Sequence, residues 1–129
     1  MTQSDCPALA RFLRGDVDAH QFAHREHLRM AFEMLRRHDF AESVYLYSQA
    51  LRLMTSRAGR PEVFNQTVTI AFLSLVAERM HMSAPEDFAA LERHHPELLD
   101  RAVLGRWYRP ERLALSVARR CFLLPEPPA

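Results

Sequence analysis

The stretch HQFAHREHLRMAFEMLRRH, residues 20–38, decides the fold that we predict for this chain. Because an α-helix advances by about 100° per residue, a helix over this stretch divides its side chains into two faces. The charged face consists of Arg25, Glu26, Arg29, Glu33, Arg36 and Arg37. The opposite face combines apolar residues with histidines, namely His20, His24, His27, Leu28, Ala31, Met34, Leu35 and His38. The histidines therefore extend the stripe that faces the core, and they do not belong to the solvated face.

The rest of the chain also predicts helices, and no long alternating β pattern interrupts them. The predicted helices cover residues 4–14, 20–38, 40–57, 61–80, 83–94 and 110–122. The fourth is apolar almost all round, which is typical of a helix at the centre of a bundle. We therefore expect an all-α fold in one domain over residues 1–129, a bundle of about five to six helices with a central fourth helix. Residues 122–129 are expected to form an extended, proline-rich tail.

Capping residues indicate where several of these helices begin. Asp39 with Glu42 forms a capping box for the third helix, and Ser83 with Glu86 forms one for the fifth. Pro61 suits the first turn of the fourth helix.

Composition excludes several classes of protein. The chain has 129 residues, with 17 basic and 16 acidic side chains, so no charge bias indicates nucleic acid or a membrane surface as a partner. No signal-peptide pattern and no run of about eighteen apolar residues is present, so we expect a cytoplasmic protein without a membrane span. Cys6 and Cys121 can pair only if the chain ends meet, and neither has the spacing of a metal ligand.

The histidines of the second helix form the candidate site. His24 is one helical turn from His20 and one from His27, and two such imidazoles can chelate a metal or act as an acid–base pair. All three do not reach one ion easily, because His20 and His27 are separated by roughly 10 Å of helical rise. A metal would therefore need ligands from another helix, and both the metal and any cofactor stay unknown.

Three interpretations of these histidines stay open. They are core imidazoles that bond a carbonyl or hydroxyl, or they line a ligand pocket, or they hold a metal. Asn65 and Thr69 share one stripe of the fourth helix and place two polar groups in its first turns. Tyr108 belongs to the group Arg-Trp-Tyr-Arg at 106–109, which resembles a stacking patch or an aromatic anchor of a loop.

Three segments together resemble a group of small, uncharacterised bacterial all-helical proteins. Their pattern has an F-x-H-x-x-H-L-R-x-A helix, a Y-H-x-T-x-T helix and a Y-Y-S-x-x-x-L…A-R-x-x-F ending with prolines. The first segment is complete at residues 22–31. The second segment, at residues 64–69, keeps both threonines but has Phe-Asn in place of Tyr-His. The third segment matches in part over residues 107–125. The resemblance implies no particular activity. It implies a compact helical fold in which one pocket is shared by His24, His27, Asn65 and Thr69.

The leading functional hypothesis is a histidine-containing polar pocket that binds a small molecule. In this hypothesis His24 or His27 acts as a general acid or base if the protein is an enzyme. The ligand-binding residues would be Asn65, Thr69, His20 and Tyr108. One alternative is a non-catalytic accessory protein that works through helix-mediated association, for example as a homodimer. A second alternative is a protein that binds a transition metal.

Overall fold

The computed structural model describes residues 6–127, and every regular element in that range is helical. The α-helices are α1 (Pro7–Leu13), α2 (His24–Arg37), α3 (Phe40–Arg57), α4 (Gln66–Ser83), α5 (Phe88–His94), α6 (Pro110–Leu113) and α7 (Ser116–Arg120). Short 3-10 turns occupy Ala19–Gln21, Pro61–Val63, Pro96–Leu99 and Val103–Arg106. The predicted all-α class is confirmed. The predicted start of the first helix at residue 4 and the tail at 128–129 lie outside the described residues.

The helix α4 lies at the centre of the bundle, as its apolar sequence predicts. It contacts α2, α3, α5 and α7, while α1 packs on α2 and α3. Its buried side chains are Thr67, Thr69, Phe72, Leu73, Leu75 and Val76. The four apolar residues of this set, from Phe72 to Val76, join one hydrophobic cluster with residues of α1, α2 and α3. Burial of this apolar area holds the helices together.

The bounds of α3 agree with the prediction. The Asp39 carboxylate accepts a hydrogen bond of 2.8 Å from the backbone N–H of Glu42 and so begins the helix. After α3 ends, Gly59 has a φ of +73°, a left-handed conformation that glycine adopts without steric cost.

The predicted start of the fifth helix was wrong. Ser83 is the last residue of α4, and its hydroxyl donates to the Arg79 carbonyl at 3.1 Å. The cap of α5 is Asp87, whose carboxylate accepts from the backbone N–H of Ala90 at 2.9 Å. The hydroxyl of Ser83 thus bonds back within α4, and Asp87 supplies the acceptor that begins α5.

The fourth and last predicted helices also differ from the structure. Pro61 opens a 3-10 turn, and α4 begins only after Asn65, which caps it. The expected helix over 110–122 is divided at Ala114 and Leu115 into α6 and α7, which raises the number of α-helices in the described residues above the expected five to six. Since the Ala114 carbonyl accepts from the side chain of Arg119, a side-chain bond replaces a helical one at this break.

The segment after α7 is attached to α4 by one buried threonine. The Thr67 hydroxyl donates to the Cys121 carbonyl at 2.8 Å and accepts from the backbone N–H of Leu123 at 2.9 Å. Cys6 and Cys121 are both free thiols, the first buried and the second exposed. Within the described range, no helix combines the length and the apolar character that crossing a membrane requires.

Candidate functional site

The chain leaves the helical path just before α2, which separates His20 from the other two histidines. The Asp18 carboxylate accepts from the backbone N–H of His20 at 2.9 Å and caps a 3-10 turn, Ala19–Gln21. Phe22 and Ala23 then have non-helical backbone angles, and α2 begins at His24. The predicted helix start at residue 20 was therefore wrong, because a side chain competes locally for the backbone donor.

The side chain of Phe22 fills the corner that this break creates. Its ring stacks on Phe12 with centroids 5.5 Å apart, and it meets the ring of His27 edge-on at 4.6 Å. Phe12 is fully buried in the core. The non-helical backbone at residues 22–23 thus lets Phe22 join the core and cover one side of His27.

The ring of His24 is held by a bond to a distant turn. Its Nε2 atom donates to the backbone carbonyl of Leu98 at 2.9 Å, and its ring lies 5.3 Å from the ring of Phe72. Because Nε2 carries the proton in this bond, a neutral His24 has its lone pair on Nδ1. This bond fixes the tautomer and the orientation of the ring.

The ring of His27 makes no hydrogen bond to any of residues 6–127. The Tyr47 hydroxyl, 2.8 Å away, donates to the backbone carbonyl of His27 and not to its ring. Burial lowers the pKa of the imidazole to about 4, and His24 and Arg101 add smaller electrostatic contributions in the same direction. His27 is therefore neutral at pH 7, and it has one N–H donor and one acceptor available to a ligand.

Asn65 and Thr69 use their polar atoms to build the start of α4. The Asn65 side chain accepts from the backbone N–H of Val68 at 3.0 Å and donates to the Leu113 carbonyl at 2.8 Å. The Thr69 hydroxyl donates to the Asn65 carbonyl at 2.8 Å. Both residues thus have structural bonds first: Asn65 keeps one amide N–H and part of its acceptor capacity for a ligand, and Thr69 keeps acceptor capacity only.

These elements enclose a cavity of about 730 Å³ that is partly open to solvent. Five of the six predicted site residues line it, which are His20, His24, His27, Asn65 and Thr69. Most of its remaining wall is apolar and comes from α3, α4 and the turn at 103–106. The volume lies within the range of small-molecule sites, about 300–1,000 Å³.

The sixth predicted residue, Tyr108, lies elsewhere. It lines a separate cavity of about 200 Å³ with Trp107 and Phe122, and its hydroxyl donates to the Leu123 carbonyl at 2.7 Å. Burial raises the pKa of this phenol. Tyr108 thus anchors the chain after α7, and the structure does not bring it together with the histidines.

Sequence reasoning missed Arg101 and Tyr47 as residues of the cavity wall. Both line the cavity, and Arg101 reaches it from the turn region far along the chain. Tyr47 lies on α3 and is buried. The sequence has no signal for Arg101, since an exposed arginine between Asp100 and Ala102 resembles any surface residue.

The described residues contain no group of three or more His, Cys, Asp or Glu side chains arranged to hold a metal ion. Comparison of the chain with protein-family models, curated proteins and solved structures gave no match.

Proposed function

We propose that this protein binds a small, mainly apolar molecule in the cavity of about 730 Å³, with the imidazoles of His24 and His27 facing the ligand's polar atoms. The observation that carries the proposal is the ring of His27, which is neutral, mostly buried and without a hydrogen-bond partner among the described residues. No buried side-chain nitrogen or oxygen among the described residues is left without a partner, so the unpaired ring nitrogens of His27 are accessible from the cavity. A ligand with a complementary polar atom can therefore pair with the ring there.

If the bound molecule reacts, the proposed role of His27 is that of a general base. Its pKa of about 4 leaves it unprotonated at neutral pH, so it can take a proton from the ligand but has none to spare as a cationic acid. His24 donates through Nε2 to the Leu98 carbonyl. This bond orients the ring and leaves its Nδ1 atom available to the ligand. Asn65 and Thr69 would shape the wall beside the ligand.

The resemblance of residues 22–31 to small bacterial helical proteins belongs to the same proposal. That pattern implies a pocket shared by His24, His27, Asn65 and Thr69, and all four residues line one cavity here. A bacterial setting is part of the proposal on the same ground, and a cytoplasmic one on the ground of the sequence pattern.

Titration with indole tests the binding proposal, because indole is uncharged, apolar and carries one N–H donor. Amide NMR shifts are expected to change mainly at residues that line the cavity. A Val68→Trp variant fills the cavity wall and should abolish these changes, whereas Met82→Trp, on the exposed part of the same helix, should keep them. Equal responses in both variants would place the binding elsewhere and contradict the proposal.

The part played by the imidazoles needs a second variant. A His24→Ala/His27→Ala protein that folds should bind indole more weakly than the parent, since both ring contacts are removed. Unchanged affinity in that protein would mean that the cavity binds by apolar contact alone.

Association with a partner is a second candidate function, favoured by apolar side chains exposed in the last part of the described chain. At least two fifths of the side chain is exposed at Trp107, Leu115, Val117, Phe122 and Leu124. Large exposed apolar residues are typical of interaction surfaces when they cluster. Sedimentation equilibrium over a range of protein concentrations tests this candidate, and a mass that stays monomeric throughout would remove homodimerisation.

A further inference from the structure

The charged side chains of the cavity wall have one sign only. Among the described residues that line the cavity, Arg101 is the one permanently charged side chain, and none is acidic. The chain as a whole has 16 acidic residues, so their absence from this wall contrasts with the balanced surface. A cavity with this wall attracts a negatively charged ligand and repels a cationic one.

The guanidinium of Arg101 has no ion pair, hydrogen bond or ring contact with any of residues 6–127. Two arginines of the helices around this part of the molecule are paired, Arg25 with Glu92 and Arg79 with Glu97. An unpaired arginine on an open surface is ordinary, because water solvates it fully. Arg101 is exposed as well, but it lines the cavity and its charge acts on the ring of His27, so its donors are available to a group bound beside that ring.

The start of α2 lies beside the same cavity. Its cap residue, Ala23, has no side-chain acceptor, and no group among the described residues accepts from the backbone N–H of His24 or Arg25. Ala23 and His24 both line the cavity. The free N–H groups and the positive end of the helix dipole favour negative charge at this position.

Resting on the proposed function, we propose that the ligand is a small organic carboxylate with an apolar body, whose carboxylate is bound by Arg101 and whose body occupies the apolar part of the cavity. The planar fork of arginine matches a carboxylate with two parallel hydrogen bonds. His27 then has a role in recognition as well. Its neutral ring pairs with a polar atom of the ligand's body, or it donates an additional hydrogen bond to one oxygen of the carboxylate that Arg101 binds.

A matched pair of probes isolates the charge. Indole-3-acetate and indole-3-acetamide have the same apolar body, but only the first carries a carboxylate. Isothermal titration of the parent at low salt is expected to give at least ten-fold tighter binding for the acid. The variant Arg101→Gln should weaken binding of the acid about ten-fold and leave the amide unchanged. Arg106→Gln is the control, because Arg106 is exposed, has no partner among the described residues and does not line the cavity. This variant should change the affinity for neither the acid nor the amide.

NMR titration of the His27 ring protons gives an independent readout. A carboxylate bound beside the imidazole should raise its pKa from about 4, while the bound amide should leave it near its value in the free protein.

The outcomes separate this inference from the proposed function. Equal affinity for acid and amide, or equal effects of Arg101→Gln and Arg106→Gln on the acid, overturns the carboxylate assignment while the binding site stands. Binding of indole without binding of indole-3-acetate also overturns the carboxylate assignment and leaves the binding site in place. Failure of all three probes in the parent removes the proposed site and this inference together.

Discussion

Leucine in place of His27 is expected to remove a defined part of the pH dependence of folding. The imidazole has a pKa of about 4 in the folded protein, against about 6.5 in an unfolded chain. Because the folded pKa is the lower one, the unfolded chain takes up the proton first. Stability is therefore complete above pH 6.5 and is lost as the pH falls from 6.5 towards 4. This one group lowers the free energy of unfolding by about 2 kcal/mol between pH 7.5 and 5, and by about 3 kcal/mol in total.

Urea unfolding followed by circular dichroism, at several pH values from 7.5 to about 5, measures this effect. The difference between parent and His27→Leu should grow by about 2 kcal/mol over that range in favour of the variant. At pH 7.5 the variant should be about as stable as the parent, because the ring makes no hydrogen bond to the described residues that leucine would remove. His20→Leu is the matched control, since His20 is exposed and lies outside α2, and the effect is assigned to the buried ring of His27 when this variant does not reproduce it.

Two results would refute the reasoning. Parallel pH profiles for parent and His27→Leu would mean that the ring is not held neutral by burial. A loss of more than about 2 kcal/mol at pH 7.5 would mean that the imidazole makes a stabilising bond, and the argument for a free donor and acceptor would fail.

Three further predictions test individual contacts that support the fold. Gly15→Ala should destabilise more than Gly59→Ala: both glycines have positive φ, at a cost of about 1–2 kcal/mol for alanine, but only at Gly15 would the new Cβ lie 2.5 Å from Leu53. Thermal unfolding of both variants gives the difference, and equal melting temperatures would show that Leu53 moves aside at no cost. Asn65→Ala should lower the free energy of unfolding by about 1–2 kcal/mol through loss of the cap, measured by urea unfolding, and an unchanged midpoint would contradict the capping role. Thr67→Val should speed amide hydrogen exchange at residues 121–124 through loss of both hydroxyl bonds, and unaltered exchange there would mean that other contacts hold this segment.

The sequence alone determined the features that depend on near neighbours in the chain. The carboxylate of Asp39 meets an N–H three residues ahead, so the start of α3 follows from local spacing. The core-facing side of α2 follows from helical geometry, and Leu28, Ala31 and Met34 are fully buried as that geometry requires. The charged side was predicted only in part, because Glu33 is buried as well and bonds Arg37. The central position of α4 follows from an apolar surface that a bundle can cover only from several sides.

Only the tertiary structure decided which polar groups meet in the cavity. The helical break before α2 lets Phe22 stack on Phe12, a contact between two elements that periodicity does not report. Arg101 comes to the same cavity as His27 because the turns after α5 fold back over α2, while Tyr108, only a few residues further on, is turned towards a different cavity. Hydrogen bonds and helical periodicity act over a few residues, whereas a cavity is what remains between distant elements after they pack. The stripe of histidines could therefore be predicted from the sequence. The ring of His27 without a hydrogen-bond partner among the described residues, and the presence of Arg101 on the same cavity wall, could not be predicted.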